Sequence, residues 1–78
     1  MLVLMMRDEC HLCDLALTEL AAAGVRGLQA CYIDGDEVLE RRYGERVPVL
    51  CDGQGRELDW PFTTVSVLAW LEGESAGP

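Results

Sequence analysis

No apolar run in the chain approaches the roughly 20 residues needed to cross a bilayer. The run MLVLMM at 1–6 stops at Arg7-Asp8-Glu9. Positive charge is also scarce: 14 Asp and Glu stand against 6 Lys and Arg, for a net charge of −8. Nucleic acid and anionic membranes are therefore not expected partners, because basic patches carry that binding. A small anionic ligand would need a locally positive pocket. Repeats and low-complexity tracts are absent, and so is a second close pair of cysteines. Cys10 and Cys13 are three positions apart, whereas Cys31 and Cys51 stand alone. A structural zinc site commonly uses two such pairs, so the spacing argues against one, and no metal is expected.

The apolar start resembles the core of a signal peptide, with Ala21-Ala22-Ala23 as a cleavage site. No positive segment precedes it, and a buried strand explains it better. A cytoplasmic location is expected. Persistent disulfides are rare there, and a Cys-x-x-Cys is more readily redox-active or metal-binding than a staple. The 78 residues allow one domain, and an apolar half of the composition argues for a folded one.

The pattern predicts β-α-β-α-β-β-α. MLVLMM reads as a fully buried strand, and residues 11–23 as a helix closed by Gly24. LQACYI at 28–33 suits a strand. DGDEVLERRYG at 34–44 suits a short helix, with acids early and arginines late. RVPVLC at 46–51, DGQG at 52–55 and RELDW at 56–60 make a hairpin. The last helix spans 63–73, with Thr63 or Thr64 as N-cap and Val65, Leu68 and Leu71 inward. The domain is expected at 1–73, with 74–78 a flexible tail. Strands joined through a helix should be parallel and hairpin strands antiparallel, so a mixed four-stranded sheet with helices on its faces is the compact solution.

Cys10 and Cys13 fall where a buried strand ends and a helix begins. On the first helical turn that spacing brings the side chains together, close enough for a disulfide. The helix N-terminus stabilises a thiolate, so the exposed cysteine should ionise below the free-thiol value of about 8.5. Cys10, nearest the helix end, is read as the attacking thiol and Cys13 as the resolving one. Arg7 and protonated His11 would favour the thiolate; Asp8, Glu9 and Asp14 would oppose it. Cys31 and Cys51 read as small buried hydrophobes. Pro48 is allowed at a strand start with an ordinary trans bond. If that strand lies beside the first, Val47-Pro48 arrives next to Cys10. A cis bond would then turn the Val47 N–H and C=O outward to pair with a substrate backbone.

CHLC at 10–13, RYGERVPVL at 42–50 and LDWPF with VLAWL at 58–71 resemble the small bacterial glutaredoxin-like family, once filed as a domain of unknown function. The resemblance implies a thioredoxin-like (glutaredoxin-like) α/β fold. It further implies thiol–disulfide oxidoreductase or electron-carrier activity, with Cys10 as nucleophile, Cys13 as resolving thiol and Val47-Pro48 as a cis-proline substrate platform. His11 and Leu12 stand where dithiol glutaredoxins carry Pro-Tyr, and the Gly-Gly-x-x-Asp stretch that grips glutathione is replaced by LDWPFTT. The N–H groups of the last helix, with the Thr63 and Thr64 hydroxyls, could still take a carboxylate, and Arg46 and Arg7 another. Both arginines read equally well as solvated surface charges. Trp60 and Phe62 read as packing around Pro61. No tightly bound cofactor is expected. Glutathione is a candidate reductant or substrate, a disulfide-bearing protein or small molecule a candidate partner, and the chain a monomer. The alternatives are a metal-binding module, holding an iron–sulfur cluster through Cys10 of two chains, and a non-catalytic interaction domain.

Overall fold

The computed structural model describes residues 1–73; the expected tail at 74–78 lies outside the described residues. The elements follow the expected order: β1 (Val3–Met6), α1 (His11–Ala22), β2 (Gln29–Tyr32), α2 (Glu37–Tyr43), β3 (Val49–Cys51), β4 (Glu57–Asp59) and α3 (Thr64–Leu71). The sheet order is β2-β1-β3-β4. β1 and β2 are parallel, and the other two pairings antiparallel. None of the described helices is long and apolar enough to cross a membrane.

Alternation along β1 divides the interior. Leu4 and Met6 point to the face covered by α1 and α3, where they join Cys13, Ala16, Leu20, Leu50, Phe62, Val67 and Trp70. Val3 and Met5 point to the other face, where α2 is the only helix that packs among the described residues. There the buried cluster is Ile33, Tyr43 and Val49. α2 has 7 residues, too few to cover four strands. β1 is therefore not fully buried as expected: Val3 and Met5 keep partial exposure. Cys31 pairs with Met5 and Cys51 with Val3, so both lie on this thinly covered face and are half-buried, not buried.

The hairpin turns on Asp52, whose carboxylate accepts from Gln54 N, Arg56 N and Arg56 Nε at 2.8, 3.0 and 2.7 Å. Gly53 and Gly55 take positive φ, which a side chain would resist. Arg56 then reaches across to donate to the Trp70 carbonyl at 3.0 Å, its guanidinium 4.5 Å from the Trp70 ring centre. This ties the hairpin to the end of α3. Trp70 is buried.

The phase of α3 differs from the expected one. Val67 and Trp70 face the sheet, while Val65 is 75 % exposed and Leu68 and Leu71 are also exposed. A run apolar on nearly every side carries little phase information. Docking sets the rotation. Thr63 caps α3 through a reciprocal bond with Ser66, and Glu19 of α1 holds the Thr64 N–H at 2.7 Å. Chemical denaturation tests this phase: Val67→Ala should lose about 2 kcal/mol, whereas Val65→Ala should stay within about 0.5 kcal/mol of wild type. The reverse order would contradict it.

Candidate active site

β1 must become α1 within residues 7–10, and each residue of that link is held. Arg7 pairs with both carboxylate oxygens of Glu40 at 2.8 and 2.7 Å and donates to the Gly44 carbonyl at 3.0 Å. The Asp8 N–H donates to the Asp34 carboxylate at 3.2 Å. Glu9 has φ +52°, in the left-handed region that costs a side-chain-bearing residue about 1–2 kcal/mol. No glycine or asparagine marks this turn, so the sequence carried no signal for it. Cys10 follows as N-cap, its Sγ accepting from the Cys13 N–H at 3.1 Å.

The Cys10 and Cys13 sulfurs lie at bonding distance, with Cα atoms 5.2 Å apart. Cys13 is 1 % exposed and belongs to the core. Cys10 is half-buried, less enclosed than Cys13. The N–H at Cys10 Sγ and the helix end behind it both stabilise negative charge there. His11 and Leu12 are exposed beside the pair. Among the described residues no pocket opens next to it, and no three of His, Cys, Asp or Glu converge as for a metal ion.

The register sets Val49 opposite Met5, which carries Val47-Pro48 to the Cys10 end of β1. The Val47–Pro48 peptide is cis, as is Trp60–Pro61. Pro48 is fully buried. The expected platform needs one correction: the Val47 N–H is not turned out to a substrate but donates to the Tyr43 carbonyl at 3.0 Å.

The residues expected to bind glutathione are engaged within the chain. Arg46 bridges Glu57 and Asp59, the latter at 2.8 Å. Arg7 is matched by Glu40. The Thr63 hydroxyl accepts from the Ser66 N–H at 3.1 Å. The Thr64 N–H and hydroxyl donate to Glu19 at 2.7 and 2.9 Å. Glu19 lies more than two turns along α1 from Cys10, so these contacts do not bring Thr63 and Thr64 to the pair. Each ligand role had rested on a cation or a helix end being free, which only the tertiary partners decide.

Glu57 was not singled out from the sequence. It receives Arg42 at 3.1 Å, the Tyr43 hydroxyl at 3.0 Å, and Arg46. Tyr43 is thus a buried anchor, and burial pushes its hydroxyl pKa up. Burial likewise pushes the Cys51 thiol up, away from thiolate chemistry. Trp60 and Phe62 pack edge-on with centres 5.1 Å apart, the packing role expected of them.

A model of the glutaredoxin-like domain (DUF836) matches residues 1–72. The chain belongs to the glutaredoxin-like family. The fold is accordingly thioredoxin-like. An X-ray structure of the Northeast Structural Genomics target protein XcR50 from X. campestris is 50 % identical, with all of both chains covered and a TM-score of 0.90. A solution structure of the same protein is 51 % identical over 99 % of this chain and 95 % of that one, with a TM-score of 0.86. None of the curated proteins compared with the chain matches it. In this glutaredoxin-like domain the Cys-x-x-Cys pair occupies the strand–helix junction at disulfide distance, which fits a CxxC redox module.

Arg46 holds the Glu57 carboxylate at about pH 2, against an ordinary value near 4.3. A folded-state value below the unfolded one adds stability above about pH 4.3 that disappears as the pH falls through about 2. Solvent beside the arginines screens the effect to about 1 kcal/mol. Acid titration followed by near-ultraviolet circular dichroism should therefore be flatter in Glu57→Gln than in wild type between pH 2 and 4.5. Parallel curves would remove Glu57 from the link between β4 and the Pro48 loop.

Proposed function

We propose that the chain is a thiol–disulfide oxidoreductase, or electron carrier, cycling between a Cys10–Cys13 dithiol and disulfide. The observation that carries this reading is the asymmetry of the pair, with a half-buried cysteine at the N-cap of α1 and a 1 % exposed cysteine one turn further in. The Cys10 thiolate attacks one sulfur of a substrate disulfide. The substrate S–S bond breaks, one substrate thiolate leaves, and Cys10 is held in a mixed disulfide. Cys13, as thiolate, then attacks Cys10 Sγ and releases the second substrate thiol. Two electrons pass to the substrate, and the protein is left with the Cys10–Cys13 disulfide. A dithiol or two monothiols must return those electrons to complete a cycle. The cytoplasm, where thiol pools are kept reduced, suits this chemistry. The unit of function is a monomer with no bound cofactor.

The test uses a background of Cys31→Ser and Cys51→Ser. Reduced protein is mixed with a disulfide, quenched with acid and weighed by intact-mass spectrometry. Cys10→Ser should abolish turnover, a loss of at least about a hundredfold. Cys13→Ser should accumulate a mixed disulfide on Cys10. Turnover that survives in Cys10→Ser would sink the mechanism.

A further inference from the structure

Charge is not spread evenly over this acidic chain. Of its arginines, Arg7, Arg41, Arg42, Arg46 and Arg56 each face a carboxylate of the chain itself. Among the described residues only Arg26 has no ion pair, and it follows α1 at the end away from Cys10. The carboxylates left without an arginine include Asp8, Glu9 and Asp14, all within four residues of Cys10 and all exposed. Asp34 joins them through its bond from the Asp8 N–H. The α3 N-terminus, which could take an outside carboxylate, already holds Glu19. An anion approaching Cys10 thus meets negative charge within a Debye length of about 10 Å and no unmatched guanidinium. Leu12, 44 % exposed, gives the open face beside Cys10 an apolar contact that a polypeptide can cover.

Resting on the proposed exchange reaction, we propose that its substrate is a protein disulfide flanked by cationic residues, and that anionic thiols and disulfides, glutathione among them, are selected against. The acidic rim acts on encounter, drawing a positive surface to Cys10 and repelling a negative one. Asp8, Glu9, Asp14 and Asp34 are specificity residues, whereas Glu19 and Glu40 act by occupying groups that an anion would otherwise use.

The experiment measures single-turnover rate constants of the reduced chain with three disulfide-bridged peptides that differ only in flanking Arg, Gln or Glu. Glutathione disulfide and cystamine are run beside them, and each rate is divided by that of dithiothreitol with the same disulfide. At low salt the Arg peptide should react at least about tenfold faster than the Glu peptide, with Gln between and glutathione disulfide near the Glu peptide. About 1 M salt should collapse the spread. Asp8→Asn with Asp14→Asn, which keeps the size and oxygen acceptor of each side chain, should reduce it severalfold. A Glu peptide or glutathione disulfide as fast as the Arg peptide, or a spread indifferent to salt, would overturn the selection. Cystamine matching the Arg peptide would overturn the assignment of a polypeptide. Failure of every disulfide to form an adduct on Cys10 would instead overturn the exchange reaction beneath it.

Discussion

The reversal of chain direction between Met6 and His11 is the constraint on which the rest of the site depends. A central strand must end and a helix must start within four residues, leaving one cysteine half-buried and the other inside. Such a link is too short to hold itself. Arg7 is clamped to α2 through Glu40 and the Gly44 carbonyl, and the Asp8 N–H to Asp34 in the loop that leads into α2. Glu9 accepts a left-handed backbone to turn the corner. α2 covers little of its sheet face, but it provides the anchorage for the loop that delivers Cys10.

The same division of labour is seen across the sheet. The α1–α3 side contains most of the buried apolar residues, while the α2 side is knit by charge. Glu57 on β4 gathers Arg42, Tyr43 and Arg46, which lie at the end of α2 and in the loop leading to Pro48. That loop approaches the end of β1 because β3 pairs with it antiparallel. Ion pairs this exposed contribute little each. Several sharing one carboxylate restrict the loop in more than one direction, and burial of Tyr43 adds an apolar anchor. Neutralising these arginines internally leaves the unpaired carboxylates Asp8, Glu9 and Asp14 to dominate the surroundings of Cys10.

Element order, strand directions and the position of Cys10 and Cys13 were legible because each rests on local chemistry. Gly24 follows α1, Asp52-Gly53 opens the hairpin, and Thr63 caps α3. Those signals act within a few residues and survive any tertiary arrangement. The rotation of α3 was not legible. Val65, Val67, Leu68, Trp70 and Leu71 present apolar groups on almost every side, and the face that docks is chosen by the Arg56 and Glu19 contacts from other elements. Full burial of β1 was overestimated for a related reason: an apolar strand does not reveal how much helix will lie over it.

The sequence by itself determined an α/β domain with a cysteine pair at a helix start, since strand and helix periods, caps and the three-residue cysteine spacing are properties of short segments. It also determined that the chain is acidic. Tertiary structure alone decided which charges are free. Glu40 lies 33 residues from Arg7 and Glu19 lies 45 from Thr64. Whether an arginine or a helix end can greet a ligand depends on whether a distant carboxylate has already reached it. The fold brings those carboxylates in, and this turns a surface that could have received an anion into one that faces outward negative.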